Sequence, residues 1–257
     1  MAVVFPPMSP GDDIKVSAST YVAYKRCPAQ AGARLQGVYG PDSRPAFVGS
    51  LAHRLFSRHL RAGPIPPGDF EQACREEIGS STLNNKVGAL GLKPSSLSAV
   101  IDEARVLYER FIRFPQEGFE GAEHSIESSP SEGVTLVGTV DAVFVDGAGH
   151  RLVDWKTGEL GEPEDQLLFY ALLWLLLSDE LPVSVEAVSV KTGERYATVP
   201  SSGDLQRVAA DLGELVDTIR ASWASGDELA RVGGPWCRHC PILDDCDEGK
   251  SAEALLG

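Results

Sequence analysis

The chain has 257 residues, of which 43% are hydrophobic and 23% charged, a balance that permits a sizeable buried core and excludes a wholly disordered chain. Its 23 Lys and Arg residues against 37 Asp and Glu residues give a formal net charge of −14, which excludes a protein that coats nucleic acid through bulk positive charge. The start, Met1 to Asp13, lacks the basic beginning and long apolar stretch of a secretory signal. The longest apolar run, Leu167 to Leu177, is shorter than the about 20 residues that cross a bilayer, so we expect a soluble, cytoplasmic protein with no membrane partner.

The N-terminal part predicts helices. Ser17 to Thr20 offer caps for a helix that carries Tyr21, Tyr24 and Cys27 and that Pro28 discourages from continuing. Apolar residues at helical spacing predict three further helices, over 48–62, 69–79 and 97–114. The polar stretch over 80–96 is rich in Gly, Ser and Asn and predicts a loop.

The middle of the chain changes to strands. The alternating β-branched residues of 134–145 predict a strand or a strand pair, and a turn at 146–149 leads to a partner strand over 151–156. A helix over 163–178 is apolar almost all round, so we expect it to be buried against a sheet. Two more strands, over 183–190 and 195–199, and a helix over 205–223 follow. This order predicts an α/β core with a helical N-terminal part.

The triplet Asp154-Trp155-Lys156 is the most informative short pattern. Alternate residues of a strand share a face, so Asp154 and Lys156 point together and Trp155 points to the other side. Asp141 lies on the preceding strand, and a hairpin brings both carboxylates to one edge of the sheet. Two carboxylates and an ammonium suit a divalent metal and phosphodiester hydrolysis, although a surface ion pair across a hairpin gives the same pattern.

Two further features accompany this triplet. Gln166 and Tyr170 are four residues apart on the next helix and therefore share a face near its N-terminal end. His53 follows Gly49 and Ser50, which permit a close approach of the backbone. The alternative for His53 is an ordinary position on a helix surface.

Three of the five cysteines, Cys237, Cys240 and Cys246, lie within ten residues. In a reducing compartment such cysteines are more often ligands than disulfides, and Cys27 is the natural fourth ligand. Spacing alone leaves zinc and an iron–sulfur cluster open, with His239 as a competing ligand. Cys74 lies on the apolar face of a predicted helix, which favours core packing.

Four motifs in order resemble those of RecB-type nucleases in the PD-(D/E)XK superfamily. They are Gly49 to His53, Gly138 to Asp141, Val153 to Gly158, and Gln166 to Tyr170. With the cysteines, the resemblance covers about residues 17–248. It is closest to the iron–sulfur members, namely the nuclease domains of AddB-type helicase–nucleases and the CRISPR-associated RecB-like exonucleases.

This resemblance implies a fold and a domain organisation. The fold is α/β, with a restriction-endonuclease-like core in which a central mixed sheet is flanked by helices. The implied organisation is a single nuclease domain over 1–257, consisting of a mainly helical part, the catalytic sheet with its crossover helix, and a C-terminal helix with the cysteine tail (14–120, 121–200 and 201–250).

The resemblance also implies the roles of the site residues. Mg²⁺ or Mn²⁺ is held by two carboxylates, an imidazole and a backbone carbonyl, from Asp141, Asp154, His53 and Trp155. The imidazole favours manganese more than an all-oxygen site does. Lys156 orients or activates the attacking water, while Gln166 and Tyr170 position this lysine or the DNA backbone. Glu127 matches a glutamate often seen on the strand that leads into the hairpin, but a solvated glutamate fits equally well.

The cysteines implied to bind a [4Fe-4S] cluster are Cys27, Cys237, Cys240 and Cys246. We interpret its role as structural, because it would tie the N-terminal helix to the C-terminal tail.

The implied substrate is DNA, single-stranded or with frayed ends, degraded by an exonuclease. Ile14 to Ala62 carries a net charge of +7. Tyr21, Tyr24 and Trp155 are available for base stacking, although aromatic residues at these spacings more often lie in the core. Because the sequence has no P-loop, unwinding would come from a helicase partner; proteins of CRISPR adaptation are other possible partners. Repair or recombination, CRISPR adaptation and phage DNA metabolism all remain open. Two alternatives are an adaptor subunit that binds DNA ends without cutting, and a zinc-stabilised endonuclease.

Overall fold

Six strands form one mixed sheet in the computed structural model, which describes residues 3–256 apart from the side chain of Pro94. The strands are β1 (Ile14–Ser17), β2 (Phe119–Ser131), β3 (Val134–Asp146), β4 (Gly149–Lys156), β5 (Ser184–Ser189) and β6 (Arg195–Thr198). Their order is β1-β3-β4-β5-β6, and β2 pairs with β3. The pairs β1–β3 and β4–β5 are parallel, whereas the other three are antiparallel. The predicted mixed sheet is therefore confirmed.

Nine helices accompany the sheet in the described part of the chain. They are α1 (Ala18–Arg26), α2 (Pro28–Leu35), α3 (Arg44–Ala62), α4 (Phe70–Gly79), α5 (Leu83–Ala89), α6 (Pro94–Phe111), α7 (Glu164–Ser178), α8 (Ser202–Ser225) and α9 (Asp247–Leu256). Short 3-10 turns occupy Pro67–Asp69, Pro235–His239 and Leu243–Asp245. No described helix combines the length and the apolar character that a bilayer crossing requires.

The helix boundaries differ from the predicted ones in ways that capping and burial explain. α3 begins four residues before the predicted start because the Ser43 side chain accepts a hydrogen bond from the Ala46 N–H and Pro45 suits the first turn. The loop predicted over 80–96 is wrong in part. α5 forms there because Leu83, 2% exposed, anchors its first residue in the core. α6 then begins at Pro94 and ends at Phe111, three residues before the predicted positions.

Two hydrophobic clusters lie on the two faces of the sheet. One contains buried residues of α1, α7 and α8, and the other contains those of α3, α4 and α6. Consecutive residues of β4 alternate between the clusters, with Leu152 in the first and Val153 and Trp155 in the second. α7 is buried over nine consecutive residues from Leu167 to Leu175, which confirms the prediction for this apolar helix.

Candidate active site

The candidate site lies at a gap in one edge of β3. On the edge opposite β2, β1 pairs with Val134 to Val137 and β4 pairs with Ala142 to Asp146. The intervening residues, 138–141, have no strand neighbour on this edge among the described residues. In this gap the Asp141 carboxylate takes the place of a backbone partner for β4. Its Oδ2 accepts a hydrogen bond of 2.7 Å from the backbone N–H of Trp155. A side chain of β3 thereby fixes the last part of β4.

Asp154 and Lys156 point to the α7 side, as the alternation predicts. Lys156 Nζ lies 2.8 Å from Asp154 Oδ2 and donates a hydrogen bond of 2.7 Å to Gln166 Oε1. The Gln166 amide in turn donates to Asp154 Oδ1 at 2.9 Å and to the Tyr170 hydroxyl at 3.0 Å. Gln166 therefore fixes the lysine and the carboxylate relative to each other, and the four side chains form one continuous network.

His53 approaches Asp141 from α3. Its Nδ1 lies 3.2 Å from Asp141 Oδ1. Gly49, one turn earlier, makes this approach possible, since a Cβ at this position would stand 2.8 Å from Thr157 Oγ1. The predicted close backbone approach at Gly49 is therefore confirmed.

Glu123 of β2 joins this group, although the sequence analysis did not select it. The flanking pairs Ala122–Ala142 and His124–Val140 place Glu123 opposite Asp141. One ligand atom from each of His53, Glu123 and Asp141 lies within 4.8 Å of the other two, an arrangement that can hold a metal ion. The glutamate that the resemblance suggested, Glu127, is instead exposed and lies 3.1 Å from Lys15 Nζ.

The electrostatics of the site reflect crowded negative charge. Burial, together with the charge of Asp141, raises the pKa of Asp154 to about 6, against the lowering effect of Lys156. Partial burial and Asp141 also raise the pKa of Glu123. For His53, burial lowers the pKa, but the Asp141 carboxylate outweighs this effect and raises it to about 9. A divalent cation would relieve the repulsion among these carboxylates.

One buried atom bears directly on metal binding. Asp154 Oδ2 is inaccessible to solvent, and apart from the nearby ammonium of Lys156 it receives no aligned hydrogen bond. A buried carboxylate oxygen without a hydrogen bond is costly, so its free lone pair suits a cation. The donor set of this site, carboxylates with one imidazole, fits Mg²⁺ or Mn²⁺.

Two clefts flank the site. The first, of about 520 Å³, runs past Gln166 and Tyr170 and is bounded by β1 and by β2 at Glu127. The second, of about 480 Å³, contains the group of His53, Glu123 and Asp141 and is walled by α3 and the start of α5. Thr139 lines both clefts. The site is thus accessible from two sides, as an extended chain-like substrate requires.

The four predicted cysteine ligands meet at the junction of α1 with α2 and the C-terminal tail. Backbone N–H groups donate to three of the sulfurs, from Val232 to Cys27 at 3.4 Å, from Gly234 to Cys237 at 3.4 Å and from Gly249 to Cys246 at 3.3 Å. A Cβ on Gly249 would stand 3.3 Å from Cys246 Sγ and 3.6 Å from Cys237 Sγ. Burial, followed by the nearby Cys237, Cys27 and Cys246, raises the pKa of Cys240. The N–H donors suit thiolate ligands, whereas the raised pKa of Cys240 means that a thiolate there needs a bound cation.

The remaining cysteine lies outside this group, and the competing histidine is exposed. Cys74 is buried in the α3–α4–α6 cluster, where burial raises the pKa of its thiol to about 12, as expected for a core residue. His239 is exposed.

The three aromatic residues considered for base stacking lie in the core, so the alternative of core packing is correct for them. Tyr21 is 1%, Tyr24 9% and Trp155 4% exposed. Tyr21 packs against Phe169 at 5.7 Å, and Trp155 packs against Phe111 at 5.2 Å. The spacing of these residues shows which face of the helix or strand they occupy, but it does not show that other elements cover that face.

Comparisons with known proteins identify the superfamily and support the fold. A model of the PD-(D/E)XK nuclease superfamily matches residues 15–247 of the chain. A solved structure of a protein from Eubacterium rectale, provisionally named an exonuclease, has a TM-score of 0.55 and 14% identity, covering 90% of this chain and 87% of that one. The protein SSO0001 has a TM-score of 0.41 and 13% identity, covering 93% and 89%, too distant to support an argument. No curated protein matches the chain significantly.

Proposed function

Because the chain belongs to the PD-(D/E)XK nuclease superfamily, we propose that it is a metal-dependent DNA exonuclease that degrades single strands or frayed ends. The single observation that carries this proposal is the network in which Gln166 holds Lys156 beside Asp154, next to the group of His53, Glu123 and Asp141. Phosphodiester hydrolysis needs a cation at the phosphate, a positioned water and positive charge at the transition state. The residues at the β3 gap can provide these three components.

The metal would be held by His53, Asp141, Asp154 and the Trp155 carbonyl, with Glu123 as an additional carboxylate. When bound, a divalent cation neutralises phosphate charge and lowers the pKa of a coordinated water. His53 binds a metal in its neutral form, so cation binding releases the proton that Asp141 stabilises on the free imidazole.

Lys156 has the central role among the side chains that do not bind the metal. Its ammonium orients the attacking water and stabilises the negative charge that develops on the phosphate oxygens. Gln166 accepts one hydrogen bond from this ammonium and donates to Asp154, so it limits the rotation of both groups. Tyr170 completes the support by accepting from the Gln166 amide.

We further propose that the four cysteines hold a structural [4Fe-4S] cluster. The N–H groups that donate to three sulfurs support thiolate ligands. Four thiolates also suit a tetrahedral zinc ion with Zn–S bonds of about 2.3 Å. The resemblance to the iron–sulfur members of the superfamily favours the cluster, in which each thiolate binds a different iron.

The proposed cluster connects distant parts of the sequence. Cys27 lies between α1 and α2, and its three partners lie in the tail after α8. We therefore expect the cluster to stabilise the fold and to take no part in electron transfer during the reaction.

We also propose partners for the protein. We expect a cytoplasmic protein that acts with a helicase or with CRISPR adaptation proteins. The intact network around Lys156 argues against the alternative of an adaptor that binds DNA ends without cutting, because such an adaptor does not need this lysine. The resemblance to the iron–sulfur members favours the cluster over the alternative of a zinc-stabilised endonuclease.

The decisive experiment measures cleavage of linear and circular single-stranded DNA with Mg²⁺ or Mn²⁺. Lys156→Ala and Asp154→Ala should each lower the rate at least about 100-fold. Lys25→Ala is the matched control, since Lys25 forms an ion pair with Asp211 away from the site. Iron content should be unchanged in all variants. Cleavage that persists in both site variants would refute the proposed site, and equal cleavage of circles would refute the exonuclease assignment.

A further inference from the structure

The cleft between α3 and α5, named here the α3–α5 cleft, has two kinds of charge. His53, Glu123 and Asp141 lie on one side, where they can hold a cation. Arg54 of α3 and Lys86 of α5 also line the cleft. Acidic residues suit a metal, but the two basic side chains, which come from different elements, suit an anion beside it.

Arg54 differs from its neighbours on the same helix. Arg44 forms an ion pair with Glu103, Arg58 donates to Glu76 at 2.8 Å, and Arg61 donates to the carbonyl of Ala122. Arg54 is half-buried and near enough to Glu123 for its charge to lower the pKa of that carboxyl, but it makes no hydrogen bond or ion pair with any described residue. A guanidinium has five N–H donors, so a half-buried one without a protein partner points to a ligand that accepts them.

Lys86, on the α5 side of the cleft, forms a weak ion pair that a ligand can displace. Its Nζ lies 2.8 Å from Asp42 Oδ1, and both side chains are 36% exposed. An ion pair this exposed contributes at most about 1 kcal/mol, so Lys86 can exchange Asp42 for a stronger acceptor at little cost. The hydroxyls of Thr82 and Thr157 line the same cleft and have no hydrogen-bond partner among the described residues. The cleft thus offers charged and neutral donors.

We propose that the α3–α5 cleft binds a phosphate of the nucleic-acid strand adjacent to the phosphate that is cut, through Arg54 and Lys86. This inference rests on the proposed function, since it takes the substrate to be nucleic acid. Asp42 positions Lys86 while the cleft is empty, and the ammonium moves to the phosphate when the strand arrives. Arg54 and Lys86 then hold one phosphate of the strand, while the group of His53, Glu123 and Asp141 acts on the neighbouring phosphate.

The test measures equilibrium binding of a fluorescently labelled 20-nucleotide oligothymidylate to the full protein in EDTA, where no cleavage occurs. Arg54→Ala and Lys86→Ala should each weaken binding about tenfold and reduce the slope of log affinity against log salt by about 0.7. Asp42→Asn should tighten binding about twofold. Arg58→Ala, which removes a cation one turn further along α3, is the matched control and should leave both quantities unchanged. Binding by the Arg54 and Lys86 variants that equals the control would overturn the proposal.

Three forms of the probe distinguish an internal phosphodiester from a terminal phosphate. An Arg54→Ala effect of equal size on circular and linear strands assigns an internal phosphodiester. An effect confined to strands with a 5′- or 3′-phosphate assigns a terminal phosphate. Either result supports a phosphate subsite, whereas no effect on any form refutes it. Melting temperatures identify a folding defect, and Arg54→Lys should recover part of the affinity.

The two proposals can fail separately. A wild-type protein that cuts no DNA but shows Arg54-dependent binding would refute the nuclease proposal and leave the phosphate subsite intact. Robust, Lys156-dependent cleavage with unchanged binding by the Arg54 and Lys86 variants would refute the subsite alone.

Discussion

Replacing Gly49 with alanine tests the idea that a close helix–strand contact positions His53. The new Cβ would lie 2.8 Å from Thr157 Oγ1, about 0.6 Å inside ordinary contact, which begins at 3.4 Å. An alanine in place of a helical glycine gains about 1 kcal/mol, while overpacking costs about 1–3 kcal/mol. We therefore expect a change between neutral and about 2 kcal/mol less stable. Because either α3 or the Thr157 hydroxyl must move, we also expect cleavage to fall at least about tenfold.

Urea unfolding and single-strand cleavage measure the two effects. Gly88→Ala in α5 is the matched control, because nothing lies within 4 Å of its new Cβ, and it should stabilise by up to about 1 kcal/mol. Adding Thr157→Ala to Gly49→Ala removes the clashing oxygen and leaves a Cβ at 3.9 Å, so stability should return in the double variant. If Gly49→Ala alone stabilises as much as Gly88→Ala and cleaves normally, the contact does not position His53.

Three further predictions concern the metal group, the cysteines and a buried histidine. Glu123→Gln should weaken Mn²⁺ affinity about 10- to 100-fold in a titration, whereas Glu127→Gln should change it less than twofold; equal effects would contradict the assignment of Glu123. Cys27→Ala should remove the broad iron–sulfur absorption and lower the melting temperature, whereas Cys74→Ala should retain the absorption; a colourless wild type with bound zinc would refute the cluster. Burial lowers the pKa of His59, so unfolding takes up a proton there and the free energy of unfolding should fall as the pH drops below about 6.5. Urea unfolding at pH 7.5 and 5.5 should show a smaller decrease for His59→Asn, and an unchanged decrease would contradict this role.

Local patterns predicted the central part of the fold and most of the site. Asp154 and Lys156 share a strand face, and Gln166 and Tyr170 share a helix face, so their relative positions follow from periodicity alone. β1 was not predicted, because a strand of four residues is recognisable only through its parallel pairing with Val134 to Val137, more than one hundred residues later. Periodicity located β3 and the helices α3, α6, α7 and α8, but it missed β2, a strand of 13 residues that only the family resemblance indicated.

Glu123 shows why one site residue escaped sequence reasoning. Glu123 and Glu127 are four residues apart on β2, so alternation assigns both to the same face. The register begins with Ser131 opposite Val134, and an unbroken hairpin from there would set residue 124 against Asp141. An irregularity between Ser128 and Ser131 shifts the pairing by one residue and brings Glu123 to Asp141 instead. This bulge, together with the positive φ of 52° at Glu123 itself, decides which side chain faces the site, and the sequence pattern reveals neither.

The net charge of −14 is compatible with a polyanionic substrate because screening makes the local charges decisive. At physiological salt, charges interact over about 8 Å, so a bound strand responds to the cleft and not to the whole surface. The basic segment from Ile14 to Ala62 is itself half neutralised, since four of its eight basic residues, Lys15, Lys25, Arg44 and Arg58, pair with acidic residues elsewhere in the chain. Arg54, which has no hydrogen bond or ion pair among the described residues, lines the same cleft as the carboxylates of the candidate metal group. Under the proposed function, this local positive charge lets a strand bind beside the metal group although the chain as a whole is acidic.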